Sequence, residues 1–255
     1  MSEINRRSFL RTAASGLTMA AKGETMRGTV HSASEWIFES GKHYDDPFNQ
    51  TDLDLLITGP DGLQVRVPAF WSGTQEWRAR FAPPKSGRYT WQTACTDASN
   101  RDLHGRTGVF DVQTATGESK FLQHGPIRVA AGKRHFEHTD GAPFFWLADT
   151  WWMGFCKRLS WPDDFQLLTA DRVKKGFSAV QIVAGLYPDM PQFDPRGANE
   201  AGFPWESDYT RINPAYFDMA DLRVRWLSQN GLAPCIVGCW GYYLPILGVP
   251  RVKKH

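Results

Sequence analysis

The sequence predicts two fold types in succession, multidomain all-β plus α/β: a β-sandwich followed by a partial (β/α)8 TIM barrel. Three observations predict it. Residues 27–116 carry short runs that alternate apolar and polar at period two, separated by Gly- and Pro-rich turns, with no helical pattern. From residue 144 onward, apolar runs of strand length alternate with amphipathic helical patterns, as in a parallel sheet. The ends of those strand runs collect Asp149, Trp151 and Trp152, then Gln181 and Tyr187, then Trp240 and Tyr242 on one rim, the polarity of a barrel's active face.

Composition narrows the function classes. A hydrophobic content of 42% and a charged content of 22% are globular values, and 255 residues suffice for one large domain or two ordinary ones. A net charge of +2 gives no reason to expect nucleic acid or an anionic membrane as partner. The 11 Trp stand out, in company with 16 Phe and 7 Tyr. That enrichment fits a β-rich protein and is compatible with carbohydrate as ligand. Cys95, Cys156, Cys235 and Cys239 are scattered, without zinc spacing. On one strand, Cys235 and Cys239 would stand about 13 Å apart, too far to bridge each other. They read as free or buried thiols. His135-Phe136-Glu137-His138 has the look of a metal fragment but lies in a turn-rich segment and reads as surface hairpin residues. No metal and no cofactor is expected.

Taken in order, Arg6-Arg7-Ser8-Phe9-Leu10-Arg11 resembles a twin-arginine export signal, and residues 1–26 are set aside as that segment. An exported product, periplasmic or extracellular, follows from it. No stretch of 18 apolar residues exists, so no membrane span is predicted. In the β part, Thr29 to Phe38 is expected as one strand. Asp52 to Ile57, Leu63 to Val67, Trp77 to Phe81, Arg88 to Thr93 and Gly108 to Val112 follow, with turns at Gly59-Pro60-Asp61-Gly62 and Pro83-Pro84-Lys85-Ser86-Gly87. Residues 117–143 read as linker and hairpin, with Ile127-Arg128-Val129 facing Arg134-His135-Phe136.

The α/β part opens with Phe144-Phe145-Trp146-Leu147-Ala148 as a strand. It runs into Asp149, Thr150 and two indoles. Indole faces suit sugar rings and a carboxylate accepts from hydroxyls; equally, the Trp pair serves as core and Asp149 as a helix cap. Ser160-Trp161-Pro162-Asp163 starts a helix with Phe165, Leu168, Thr169 and Val173 on one face, ended by Lys174-Lys175-Gly176. Phe177 to Val183 is a β-branched strand. Residues 184–212 form a loop too long to be a mere connection. Asn213-Pro214 caps a second helix with a stripe of Phe217, Ala220, Val224 and Leu227, and Leu232 to Gly238 is the third strand.

Two resemblances rest on these motifs. Glu35-Trp36-Ile37-Phe38-Glu39, Asn49, Phe70-Trp71-Ser72-Gly73, Trp77 to Pro83 and Gly87-Arg88-Tyr89-Thr90-Trp91 are similar to the immunoglobulin-like domain that precedes the barrel in a group of glycoside hydrolases. Phe144 to Trp152, Gly176-Phe177 with Gln181, Arg211 to Phe217, and Val237 to Gly241 resemble the barrel of the apiosidase-like glycoside hydrolases. The resemblance implies an immunoglobulin-like β-sandwich followed by a partial (β/α)8 TIM barrel. It also implies cleavage of O-glycosidic bonds in polysaccharide by two carboxylates, with Asp149, Trp151, Trp152, Gln181, Tyr187 and Trp240 on the substrate side. From residue 144 onward the chain offers three strands of eight, and in such barrels the acid and its partner come from later strands. The expectation is therefore an incomplete chain, inactive alone, with no catalytic residue assigned and with self-association through the open barrel edge. The alternative is a non-catalytic carbohydrate-binding or structural module.

Overall fold

The computed structural model describes residues 25–117, 119–187 and 189–238. The chain divides into two units, Met1–Gly117 and Glu118–His255. The twin-arginine stretch, Trp240 and Tyr242 lie outside the described residues.

In the first unit the strands are β1 (Thr25–Thr29), β2 (Ser34–Glu39), β3 (Leu53–Thr58), β4 (Gln64–Pro68), β5 (Phe70–Gly73), β6 (Glu76–Phe81), β7 (Gly87–Cys95) and β8 (Thr107–Gln113), with a short helix α1 (Pro47–Gln50). They form a five-stranded sheet in the order β1-β8-β7-β3-β4 and a three-stranded sheet in the order β2-β6-β5. Period-two alternation does the sorting. In β3, Leu53, Leu55 and Ile57 are buried while the residues between them are not; in β7 the buried set is Tyr89, Trp91, Thr93 and Cys95. The inward rings of the two sheets meet edge to face, Trp36 on Phe110 at 5.1 Å and Phe38 on Trp91 at 6.0 Å. The packing is close enough that a Cβ on Gly108 would stand 2.4 Å from the Trp91 ring, so only glycine fits there. The expected single strand from Thr29 to Phe38 is two strands. His31, at φ 63, turns the chain between them, and β1 pairs in parallel with β8 while β2 joins the other sheet.

The second unit holds α2 (Lys120–His124), β9 (Ile127–Val129), β10 (Phe136–His138), β11 (Pro143–Phe144), β12 (Ala148–Thr150), α3 (Asp163–Lys174), β13 (Ala179–Val183), α4 (Pro214–Gln229) and β14 (Ala233–Val237). β9, β10 and β11 make a small antiparallel sheet. β12, β13 and β14 make a separate parallel sheet, in that order.

The predicted fold class, an immunoglobulin-like β-sandwich followed by a partial (β/α)8 TIM barrel, is corrected by this arrangement. Small sheets dominate, α-helices number four among the described residues, and no barrel closes. Closure requires each edge strand to find a neighbour at consistent tilt and stagger. Here β12 and β14 are both outer strands. The intended first barrel strand is also divided. Phe144 pairs with Phe136 in the hairpin sheet, Ala148–Thr150 pairs with β13, and Phe145, Trp146 and Leu147 stand exposed between them. A side-chain bond fixes that break: the Ser178 hydroxyl donates to the Phe145 carbonyl at 2.5 Å and accepts from the Leu147 amide at 3.0 Å. His138, read as a surface hairpin residue, is buried, its Nδ1 2.7 Å from the Gly125 carbonyl oxygen.

Candidate functional site

In a parallel sheet, side chains paired in register share a face. Asp149, Val180 and Pro234 therefore lie on one face, and Thr150, Gln181 and Cys235 on the other. The first face is covered by α3 and α4. Its core holds Trp151, Phe155, Phe165, Val180, Ile182, Tyr216, Ala220 and Leu227. On the second face Ala148 and Thr150 are exposed and Gln181 and Cys235 half-buried. The C-terminal ends of the strands are where open α/β sheets bind ligands.

The sequence-derived site residues separate onto these two faces. Asp149 is turned toward the helices. Its Oδ2 accepts from Arg172 Nε at 2.5 Å and from Trp151 Nε1 at 2.9 Å, and its Oδ1 accepts from the Thr150 amide at 2.8 Å. Partial burial opposes ionisation of this carboxyl. The Arg172 guanidinium and the indole N–H outweigh that and hold its pKa below the ordinary 3.8. Trp151 is buried, edge-on to Phe165 at 5.3 Å. Asp149 and Trp151 thus tie β12 to α3.

Trp152 and Tyr187 come together in a different cluster, with Met153, Cys156, Val183, Met190 and Val237. The Tyr187 hydroxyl lies 2.9 Å from Cys156 Sγ, which also donates to the Gly197 carbonyl at 3.3 Å. Burial pushes both the Tyr187 hydroxyl and the Cys156 thiol up, so both are neutral at pH 7. Gln181 sits on the same face of β13 as Val183, which places it beside this cluster. The strand ends therefore bring Trp152, Gln181 and Tyr187 to one side of the sheet and keep Asp149 and Trp151 on the other.

The long segment 184–212 has its own apolar centre, Leu186 and Tyr209 with Phe193, Phe203 and Trp205 against them. Phe193 and Tyr209 adopt φ 58 and 61, a left-handed backbone that side chains of this size rarely accept. Helix α4 contributes a residue the sequence reading missed. Its buried stripe is Tyr216, Ala220, Arg223 and Leu227, with a fully buried arginine at the position of a core leucine. Arg223 Nη2 donates to Glu200 at 2.8 Å, and its guanidinium lies over the Trp161 and Phe165 rings. The spacing 216, 220, 223, 227 is the helical period, and counting an arginine as a candidate for that stripe would have found it. Arg172, in the last turn of α3, had no comparable signal.

Among the described residues no group of three or more His, Cys, Asp or Glu is placed to hold a metal ion. No described helix is long and apolar enough to cross a membrane.

Comparison with known proteins bears on this site directly. Residues 130–250 match the family described as "Apiosidase-like, catalytic domain". Over those residues the second unit is similar to apiosidase-like catalytic domains. Residues 29–96 match a domain of unknown function, DUF5060. No curated protein matches. The structure described as a "putative glycoside hydrolase from Bacteroides vulgatus ATCC 8482" aligns with TM-score 0.67 and 19% identity over 84% of this chain and 41% of its own. At that identity the likeness concerns the fold alone. Another glycoside hydrolase aligns at TM-score 0.39 and 23% identity over 49% of this chain and 28% of its own, too low to bear on the fold. This chain thus spans about two fifths of the length of the Bacteroides structure. The apiosidase-like match contains all six sequence-derived site residues, Asp149, Trp151, Trp152, Gln181, Tyr187 and Trp240.

Proposed function

We propose that this protein acts on the O-glycosidic bonds of polysaccharide as part of a glycoside hydrolase. In this reading the chain alone binds oligosaccharide without turning it over. The observation that carries the reading is the coincidence of the apiosidase-like match, residues 130–250, with an aromatic strand-end rim. Gln181 and Trp152 contact the sugar directly, Gln181 by amide hydrogen bonds and Trp152 by its ring. Trp240, three residues beyond the end of β14 in sequence, is assigned to the substrate side by the apiosidase-like resemblance alone. Asp149, Trp151 and Tyr187 support the rim from behind.

The absence of turnover follows from the carboxylates. Glycoside hydrolysis needs one protonated and one ionised carboxyl flanking the bond, about 5–9.5 Å apart. Among the described residues near the strand ends, Asp149, Asp194, Glu200 and Glu206 are each engaged by an arginine, Arg172, Arg196, Arg223 and Arg211 respectively. For Asp149 and Asp194 the arginine partner lowers the carboxyl pKa, which does not suit a proton donor. The paired Arg6 and Arg7 direct export in this proposal, and the exposed Phe145 to Leu147 run beside the outer strand β12 promotes self-association.

The test is calorimetric titration of the 255-residue chain with plant and microbial oligosaccharides, alongside chromatography of any products. Saturable binding, weakened at least about tenfold in Gln181→Ala and with no product, is expected. Binding that is absent, or unaffected by Gln181→Ala, contradicts the assignment.

A further inference from the structure

Burying a full positive charge costs far more than burying an apolar chain of the same size, and methionine would fill the site of Arg223 at lower cost. Arg223 is nonetheless fully buried. Its Nη1 donates to the Met219 carbonyl at 3.2 Å and its Nη2 to Glu200 at 2.8 Å, while its Nε has no protein partner. Glu200 is thus the only carboxylate paired with this charge among the described residues. Glu200 belongs to the long segment between β13 and α4, and its neighbours are tied down in the same way. Asn199 donates to the Tyr216 carbonyl at 3.0 Å. Asn213 donates to the carbonyls of Ala201 and Phe203, both at 2.9 Å, instead of capping α4 with its side chain. From the other side, the Lys157 amide donates to the Ala198 carbonyl at 3.0 Å and Cys156 Sγ to that of Gly197. Residues 197–203 are therefore held at almost every position, from two directions. The aromatic part of the same segment keeps Phe193 and Tyr209 in left-handed backbone, a shape that anchors must impose.

We infer that Arg223 and Glu200 are a positioning pair: they latch residues 197–203 to α4 and hold the 184–212 segment as a fixed aromatic wall of the strand-end site. The ligand of that wall rests on the glycan reading above; the latch does not. Neither residue touches the sugar. Their effect is to keep Phe193, Phe203, Trp205 and Tyr209 assembled before ligand arrives, so that binding does not have to order them.

The experiment is limited proteolysis of the full chain, with fragments identified by mass spectrometry, on wild type, Glu200→Gln and Arg223→Met. Glu200→Gln keeps the size and the hydrogen bond and removes the charge, while Arg223→Met fills the site with an apolar chain that cannot pair with Glu200. Without sugar, cleavage between residues 184 and 212 is expected to rise roughly tenfold in Glu200→Gln. Cleavage within 163–174 stays within about twofold of wild type, because opening of the segment is local. Oligosaccharide affinity, measured by calorimetry, falls in parallel. Unchanged cleavage in 184–212, or an equal rise throughout the second unit, overturns the latch, since a merely structural pair would loosen the whole unit. If wild type binds no oligosaccharide, the glycan reading fails, and the cleavage pattern still decides the latch.

Discussion

In the first unit Trp36, Trp77 and Trp91 all lie buried between two facing sheets, whereas in the second unit Phe145 and Trp146 stand in solvent at 79% and 40% exposure. The contrast extends to the whole surface. Of the exposed large hydrophobics among the described residues, Leu56 and Phe70 belong to the first unit. Val129, Phe136, Phe145, Trp146, Leu147, Leu167, Val173 and Ile236 belong to the second. Where two sheets face each other, every strand has an inner side, and period two decides which residues use it. In the second unit, apolar residues of the hairpin sheet, the outer strands and α3 stay partly exposed; Trp146 packs against Phe136 and Phe144 and is still 40% exposed. Order in the second unit accordingly leans on polar ties: Asp149 to Arg172, Ser178 to the Phe145–Leu147 turn, Arg223 to Glu200.

Four variants sharpen that comparison. The largest effect is expected from Trp77→Ala, which empties the middle of the first unit's core. A loss of about 3–5 kcal/mol in denaturant unfolding is expected. Trp146→Ala, the same change at an exposed position, costs about 1 kcal/mol or less. Equal losses would contradict the picture of one filled core and one open surface.

Next comes Arg172→Met, which leaves the Asp149 carboxylate with only the indole and amide donors. A loss of about 2 kcal/mol at pH 7 is expected. It carries a pH signature. The folded-state pKa of Asp149 lies below its ordinary 3.8, so its stabilisation is fully present above that value. It is lost as pH falls below 3.8 through the folded value. Wild type should therefore lose stability over that acid window, and Arg172→Met should lose less of it. Parallel acid unfolding curves would show that the pair contributes nothing.

The smallest effect on stability, within about 0.5 kcal/mol, is expected from Phe145→Ser with Leu147→Ser. The same double variant should lower self-association in sedimentation velocity. Undiminished association would locate the contact elsewhere.

How much was legible in advance follows the same division. The first unit's strands were readable because alternation and turn chemistry agree. Asp52 to Ile57 overlaps β3 and Trp77 to Phe81 lies within β6; the failures are the break at His31, a left-handed turn at a residue that carries no glycine signal, β1 beginning at Thr25, and the unexpected elements β5 and α1. In the second unit the two long helices and the later two strands were readable from period and caps. The first strand was not: an unbroken apolar run from Phe144 to Ala148 gives no hint that a serine 30 residues onward divides it between two sheets. The site was half legible. Chemistry-bearing residues at strand ends are visible in sequence. Which face each takes depends on register, and that separates Trp151 from its neighbour Trp152. Val173 reads as part of the buried face of α3 and is exposed, while Arg223, left out of the α4 stripe, is buried. In both cases tertiary partners overrode hydropathy.

The most direct measurement is calorimetric titration of the unmodified chain with a panel of oligosaccharides, the same samples being analysed for cleavage products. The account predicts a saturable heat of binding with at least one oligosaccharide and no new reducing ends. Release of product would contradict the reading that this chain alone binds sugar without turnover, and no binding to any member of the panel would contradict the glycan site itself.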